Sequence, residues 1–275
     1  MEESGKSEND ASSTYGSIIQ SQQNLMTHKM DFRSSRLRWL PILMGIFLGL
    51  SMVVPYWIAV SLGHVDPIFP YISDDGAIPP ESCIFGQLMN LAAFFAFASV
   101  YVRYRQVNDH YQDVPEIVLK WNKAAAVFGC LAALGLSLSA NFQKQLEPNG
   151  LNTVHLIGGA LAFGGGSVYG FTQSWISYKL SPEHCSLLTC RLRLWLSIFT
   201  TIFIITNLVF DELSHMEWLP EHVGSALHIV STTSEWANAI SFILFFLTFF
   251  RELKMIETGV KQCPKLLVVS YDSLA

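Results

Sequence analysis

The chain has 275 residues, of which 51% are hydrophobic and 14% charged, with a formal net charge of −5. A soluble domain of this size carries about 25% charged residues, so this composition excludes an ordinary water-soluble domain and points to a protein built into a bilayer. The first 30 residues are polar and rich in Ser, Asn and Gln. They read as the greater part of a disordered tail, residues 1–36, rather than a cleavable signal peptide.

Six apolar stretches follow, at 39–60, 83–102, 124–142, 153–178, 192–210 and 225–250. A bilayer core of about 30 Å takes about 20 apolar residues as helix, and hydrocarbon leaves the backbone no other partner than itself. The pattern predicts an all-α membrane protein, a six-helix bundle over residues 37–255, with a second tail at 256–275. The third stretch, with the fifth the shortest, is the most interrupted.

Six spans put both termini on one side. Every Lys and Arg except Lys144 then falls on that side, in the tails or the second and fourth connections. The positive-inside bias therefore predicts cytoplasmic termini. The connection "FPYISDDGAIPPES" (69–82) faces the opposite, luminal side. Its prolines restrict the backbone and Asp74-Asp75-Gly76 supplies a turn. Phe69 and Tyr71 suit the membrane interface, where amphipathic rings settle. The loop reads either as a cap held by Tyr71 or as a stiff spacer; Pro70, Tyr71, Ser73, Asp74, Gly76, Pro79, Pro80 and Glu81 make up the motif.

Polar residues inside spans are expensive. His228, Ser231, Thr232 and Glu235 in "SALHIVSTTSEWANAI" share one helical face, and Glu235 falls roughly 15 Å below the luminal end. Asn90, Asn141, His155 and Asn207 lie in the same half. These six residues (Asn90, Asn141, His155, Asn207, His228, Glu235) form either a set of interhelical hydrogen bonds, about 0.6 kcal/mol each, or a hydrated pocket that binds a headgroup or protons. Gly158, Ala162, Gly166 and Gly170 recur every fourth position and predict one bare groove that docks a neighbouring helix.

No catalytic elbow, phosphate loop, metal pattern or basic nucleic-acid surface is present in the sequence, so no catalytic residue, metal or cofactor is assigned. Of five cysteines, Cys83 alone lies at the oxidising face. Cys185 and Cys190 read as free thiols. The chain ends "YDSLA", and Tyr271 with Leu274 fits the peptide that clathrin adaptors bind as an added strand.

"FPYISDDGAIPPESCIFGQLMN" resembles the first luminal loop and second span of the DRAM family, the damage-regulated autophagy modulators of the FRAG/DRAM/SFK superfamily. The resemblance continues through "YVRYRQV", "NKAAAVFGCLAALGLSLSANFQ", "HLIGGALAFGGGSVY" and "LHIVSTTSEWANAISFILFFLTFFREL". It implies a lysosomal or endosomal membrane protein that promotes autophagy through lipid or protein contacts and has no established reaction. A scramblase or headgroup-binding carrier, and behind it an intramembrane lipid-modifying enzyme, are the alternatives. Membrane lipids are the expected partners.

Overall fold

The computed structural model describes residues 36–257 except 112, 145–149, 215 and 217–220. Among the described residues the chain is helical, without strands. Six helices are long and apolar enough to cross a membrane: Leu37–Leu62, Glu81–Asp109, Glu116–Asn141, Gly150–Lys179, Leu187–Ser214 and Gly224–Lys254. The third runs eight residues beyond its apolar stretch at the N-terminal end. That extra length mixes charged and apolar residues, with Lys120 and Glu116 paired 2.9 Å apart one turn from each other and Val118 buried.

Each span packs against the one before it, and the sixth returns to the first, so the bundle is a closed ring in chain order. Short connections favour this arrangement. The first span ends at Gly63, whose φ of 73° needs a residue without a side chain. Its N–H bonds to the Val60 carbonyl and that of His64 to Ala59, the pairing that satisfies the last carbonyls of a helix.

Many large apolar side chains face outward, while others, Met44, Phe85 and Phe249 among them, fill the core. Trp57, Phe94 and Leu188 are more than half exposed, while the interior is rich in Ala, Ser and Thr, with Arg103 and Arg193 wholly buried. Small residues let helix backbones approach where lipid offers no hydrophobic drive to association. The loop carrying residues 63–80 closes one end of the ring, here called the loop face. The opposite face holds residues 106–111, 180–186 and the helix Phe250–Glu257.

The fourth span departs from the expected single groove. Residues Leu161–Gly165 form a π-helical segment, which inserts extra backbone and rotates everything after it. Gly158 sits against Ser139 and Gly135 of the third span, but Gly166 meets the Phe242 ring of the sixth and Gly170 meets Ser197 of the fifth. The repeating small residues serve two grooves facing different neighbours.

Candidate functional site

The loop is not a surface strap. Residues Ile72–Asp75 form one helical turn pressed into the ring between the first and sixth spans. Tyr71 is 6% exposed; its hydroxyl donates to Asp211 Oδ1 at 2.6 Å and lies 2.9 Å from Ser231 Oγ. The expected interfacial position for Tyr71 is therefore corrected, because a phenol with buried acceptors at its tip is better placed inside. Phe69 does stay outside, half exposed, at a positive φ of 45°.

Backbone groups complete the attachment. The Ile72 N–H donates to Glu235 Oε2 at 2.9 Å, and Trp236 Nε1 donates to the Pro70 carbonyl at 2.9 Å. Asp74 pairs with Lys144 at 2.9 Å, and the same ammonium sits 4.7 Å from the Tyr71 ring centre. Gly76 has no side chain because the Phe85 ring occupies the space where one would start. Pro79 and Pro80 lead into the second span, where the buried Glu81 lies 2.5 Å from His64 Nδ1. Asp75 is fully buried and neither of its oxygens has a hydrogen-bond partner among the described residues. Burial first, then the carboxylates of Asp74, Glu235 and Glu81, push its carboxyl up to about 8. Burial and the bond to Asp211 likewise raise the Tyr71 phenol above its ordinary range.

Beneath the loop lies a cavity of about 120 Å³, walled by the first, second, third, fourth and sixth spans and roofed by Ile72 and Ser73. Its polar groups are Glu235, His155, Ser139 and Ser73 near the roof and Tyr169 at depth. His155 Nδ1 lies 2.9 Å from the Phe142 carbonyl. A carbonyl only accepts, so that nitrogen carries the hydrogen and Nε2 of the neutral ring is an acceptor. Tyr169 is 2% exposed and its hydroxyl has no partner among the described residues.

The six polar residues grouped by depth are not one cluster. Glu235 and His155 line the cavity. Asn207 bonds Ser231 and so supports Tyr71, and the His228 ring meets Tyr71 edge-on at 5.0 Å. Asn90 and Asn141 bond each other at 3.0 Å on the outside of the second and third spans. These two asparagines are a separate interhelical contact, since equal depth says nothing about which way a helix face turns. Tyr271 and Leu274 lie outside the described residues.

A second polar centre at the opposite face has no counterpart in the sequence reading. Glu252 Oε2 lies 2.5 Å from Arg103 Nη1, and Oε1 forms a 2.8 Å ion pair with Arg193 Nη2. Gln173 and Gln106 bond Arg103, Ser177 and Thr248 bond Arg193, and the Phe249 ring lies 5.3 and 4.2 Å from the two guanidinium centres. Arginine heads stacked on an aromatic face and forked onto one carboxylate are a strong lock between helices. In sequence Arg103, Arg193 and Glu252 stand far apart, each at the end of an apolar stretch, with no local signal that joins them. Nearby, the buried Cys185 and Cys190 are unbridged, with sulfurs 3.5 Å apart. Among the described residues no three or more His, Cys, Asp or Glu side chains are placed to hold a metal ion.

The family model "Frag1/DRAM/Sfk1/Cwh43P N-terminal domain" matches residues 36–256. The rat DNA damage-regulated autophagy modulator protein 2 is 40% identical over 237 residues, 82% of this chain and 86% of that protein. The human DNA damage-regulated autophagy modulator protein 1 is 36% identical over 225 residues, 81% of this chain and 93% of that protein. The Xenopus laevis modulator of macroautophagy TMEM150B-B is 33% identical over 210 residues, 76% of this chain and 81% of its own length. No solved structure matches. The chain belongs to the Frag1/DRAM/Sfk1 family and, with its six apolar helices, is a multi-pass membrane protein whose relatives are named autophagy modulators.

Proposed function

We propose that this family member modulates autophagy from a lysosomal or endosomal membrane, without a reaction of its own, through lipid contacts made in the cavity beneath the loop. The observation that carries the reading is the joint construction of that cavity. Its roof is the loop, through Ile72 and Ser73, and its wall holds Glu235, to which the loop is tied at Ile72. A ligand entering there bears on the loop's attachment, so occupancy and loop position are coupled. The Lys and Arg bias supports tails in the cytoplasm and a loop face toward the lumen. Sorting rests on a clathrin adaptor reading Tyr271 and Leu274 as an added strand.

Autophagic flux in cells lacking the endogenous protein tests the reading. Wild-type chain restores flux, while Glu235→Gln expressed at equal level and in the same compartment restores less. Full rescue by Glu235→Gln and by Tyr71→Phe together defeats it.

A further inference from the structure

We propose that the loop is a lid held shut by a proton on Asp75, seated over the cavity in acid and released toward neutral pH. This names the regulation of the site in the preceding reading and rests on that reading for its effect in cells. Asp75 ends the single helical turn Ile72–Asp75, and the same turn roofs the cavity through Ile72 and Ser73. Its carboxyl is fully buried, with no hydrogen-bond donor at either oxygen among the described residues. A carboxylate so placed gives up its water and gains nothing in return, while the neutral acid gives up far less. Seating the turn therefore takes up a proton from the water at the loop face, and ionisation of Asp75 works against the seat.

The groups around the turn offer no substitute for that proton. On the turn itself, Asp74 pairs with Lys144 at 2.9 Å. From the second span comes Glu81, whose Oε1 lies 2.5 Å from His64 Nδ1 and whose Oε2 is buried without a partner among the described residues. The sixth span supplies Glu235, which holds the Ile72 N–H, and His228, whose ring meets Tyr71. The fifth supplies Asp211, acceptor of the Tyr71 hydroxyl. His155 of the fourth spends its N–H on Phe142, and Tyr56 of the first donates to the Pro67 carbonyl at 3.0 Å. Burial, then Asp74, Glu235 and Glu81, hold the seated Asp75 carboxyl at about 8 against its ordinary 3.8. The seated state is therefore fully favoured below about pH 4 and loses about tenfold per pH unit from there to about 8. Release stays local. The His64–Glu81 contact clasps the two ends of the loop, and the spans keep a core of their own that includes Met44, Ala92 and Val100. Only the middle of the loop, residues 70–76, has to leave, and its departure unroofs the cavity. On the luminal orientation of the preceding reading, a compartment that loses its acid opens this site.

Hydrogen exchange read by mass spectrometry, on the full chain in phosphatidylcholine nanodiscs between pH 5 and pH 7, tests the lid. Rates are corrected for the pH dependence of unhindered exchange. The reporting amides are Ile72, bonded to Glu235, and Asp74 and Asp75, bonded to the Tyr71 carbonyl. In the wild type their protection falls about tenfold per pH unit, about a hundredfold in all, while amides around Ala92 in the second span keep theirs. Asp75→Asn, which stays neutral, flattens the profile, and Asp75→Ser takes its place if that variant fails to fold. A flat wild-type profile overturns the proposal whatever the variants do. So does an equal slope in the neutral variant, which hands the proton to Glu235 or His64. A parallel loss in the second span also overturns it, because the event is then global. Flux measured in cells separates the two readings. A flat profile with flux still sensitive to Glu235→Gln sinks the lid alone, and a sloping profile with flux indifferent to Glu235→Gln sinks the functional reading alone.

Discussion

The Tyr71 hydroxyl donates to the Asp211 carboxylate across 140 positions of chain, at 2.6 Å. This contact ties the first connection of the bundle to the end of the fifth span. Tyr71→Phe keeps the ring against His228 and removes only the hydroxyl, so its bonds to Asp211 and Ser231 are lost while Asn207 still donates to Ser231. A stability loss of about 1.5–3 kcal/mol is expected for the loss of a hydrogen bond to a carboxylate. Thermal unfolding in nanodiscs reads the global loss, and faster proteolysis within residues 63–80 reads the local one. Unchanged values for both place the tyrosine outside the attachment.

Asp75 makes the fold sensitive to pH in a definite direction. Its carboxyl is pushed from an ordinary value of 3.8 to about 8 in the folded chain, so between those values the folded state holds a proton that the unfolded state has released. Stability from this group is fully present below about pH 4 and is lost as pH rises through about 8. The melting temperature should fall from pH 5 toward pH 8. Asp75→Asn, which stays neutral, should flatten that slope; an equally steep slope in the variant assigns the effect to another group.

Glu252 sets one negative charge between two guanidiniums that are buried together. Glu252→Gln preserves volume and removes the charge, and breaking a buried pair from one side costs about 3–5 kcal/mol. Fluorescence-detected gel filtration after heating should show a markedly lower aggregation temperature, with Lys120→Gln, at a solvent-exposed pair, unchanged. Equal behaviour of the two variants removes the lock from the account.

Gly135 lies where an added Cβ would fall 2.5 Å from the Gly158 carbonyl oxygen and 2.8 Å from the Leu161 Cβ. The backbone of a neighbouring span cannot swing aside as a side chain can, so Gly135→Ala forces the third and fourth spans apart. Overpacking of this kind costs about 1–3 kcal/mol or more. Gly49→Ala, with no atom within 4 Å of its new Cβ, is the control. Expression and melting should fall for the first and hold for the second.

On the proposed lysosomal or endosomal placement, Tyr271→Ala should raise the cell-surface share of the protein, measured by surface biotinylation and by colocalisation with a lysosomal marker. The N-terminal stretch "YGSI" (15–18) fits the same pattern, so unaltered distribution when Tyr15 and Tyr271 are both replaced rules out tyrosine-based sorting.

The spans were readable because crossing a bilayer imposes length and apolarity on every helix. The charged start of the third was not, since Glu116 and Lys120 interrupt the apolar run and their pairing one helical turn apart is a local bond that hydropathy ignores. The loop motif was visible as a cluster of prolines and acids, but its depth was not. An amphipathic ring such as Tyr71 suits an interface or an interior equally, and its acceptor is remote in sequence. Nor does the regular spacing of Gly158, Ala162, Gly166 and Gly170 betray the π-helical segment that divides them between two grooves. Arg103 and Arg193 counted only as positive charge near a boundary, because nothing local marks Glu252 as their shared partner, the first of them 149 positions distant.

The closed ring has a bearing on biosynthesis. Chains emerge N-terminus first, at about 5–20 residues per second, so each of the first five spans meets its predecessor as it inserts. The seam between first and sixth spans waits for the end of translation, and so does every contact that Ile72 and Pro70 make with Glu235 and Trp236. Until then Tyr71 and Asp75 have no interior to enter. A ribosome stalled or a message truncated before the sixth span therefore yields five paired helices with an undocked acidic loop. That exposed loop distinguishes an unfinished molecule from a finished one for any quality-control factor on that side of the membrane.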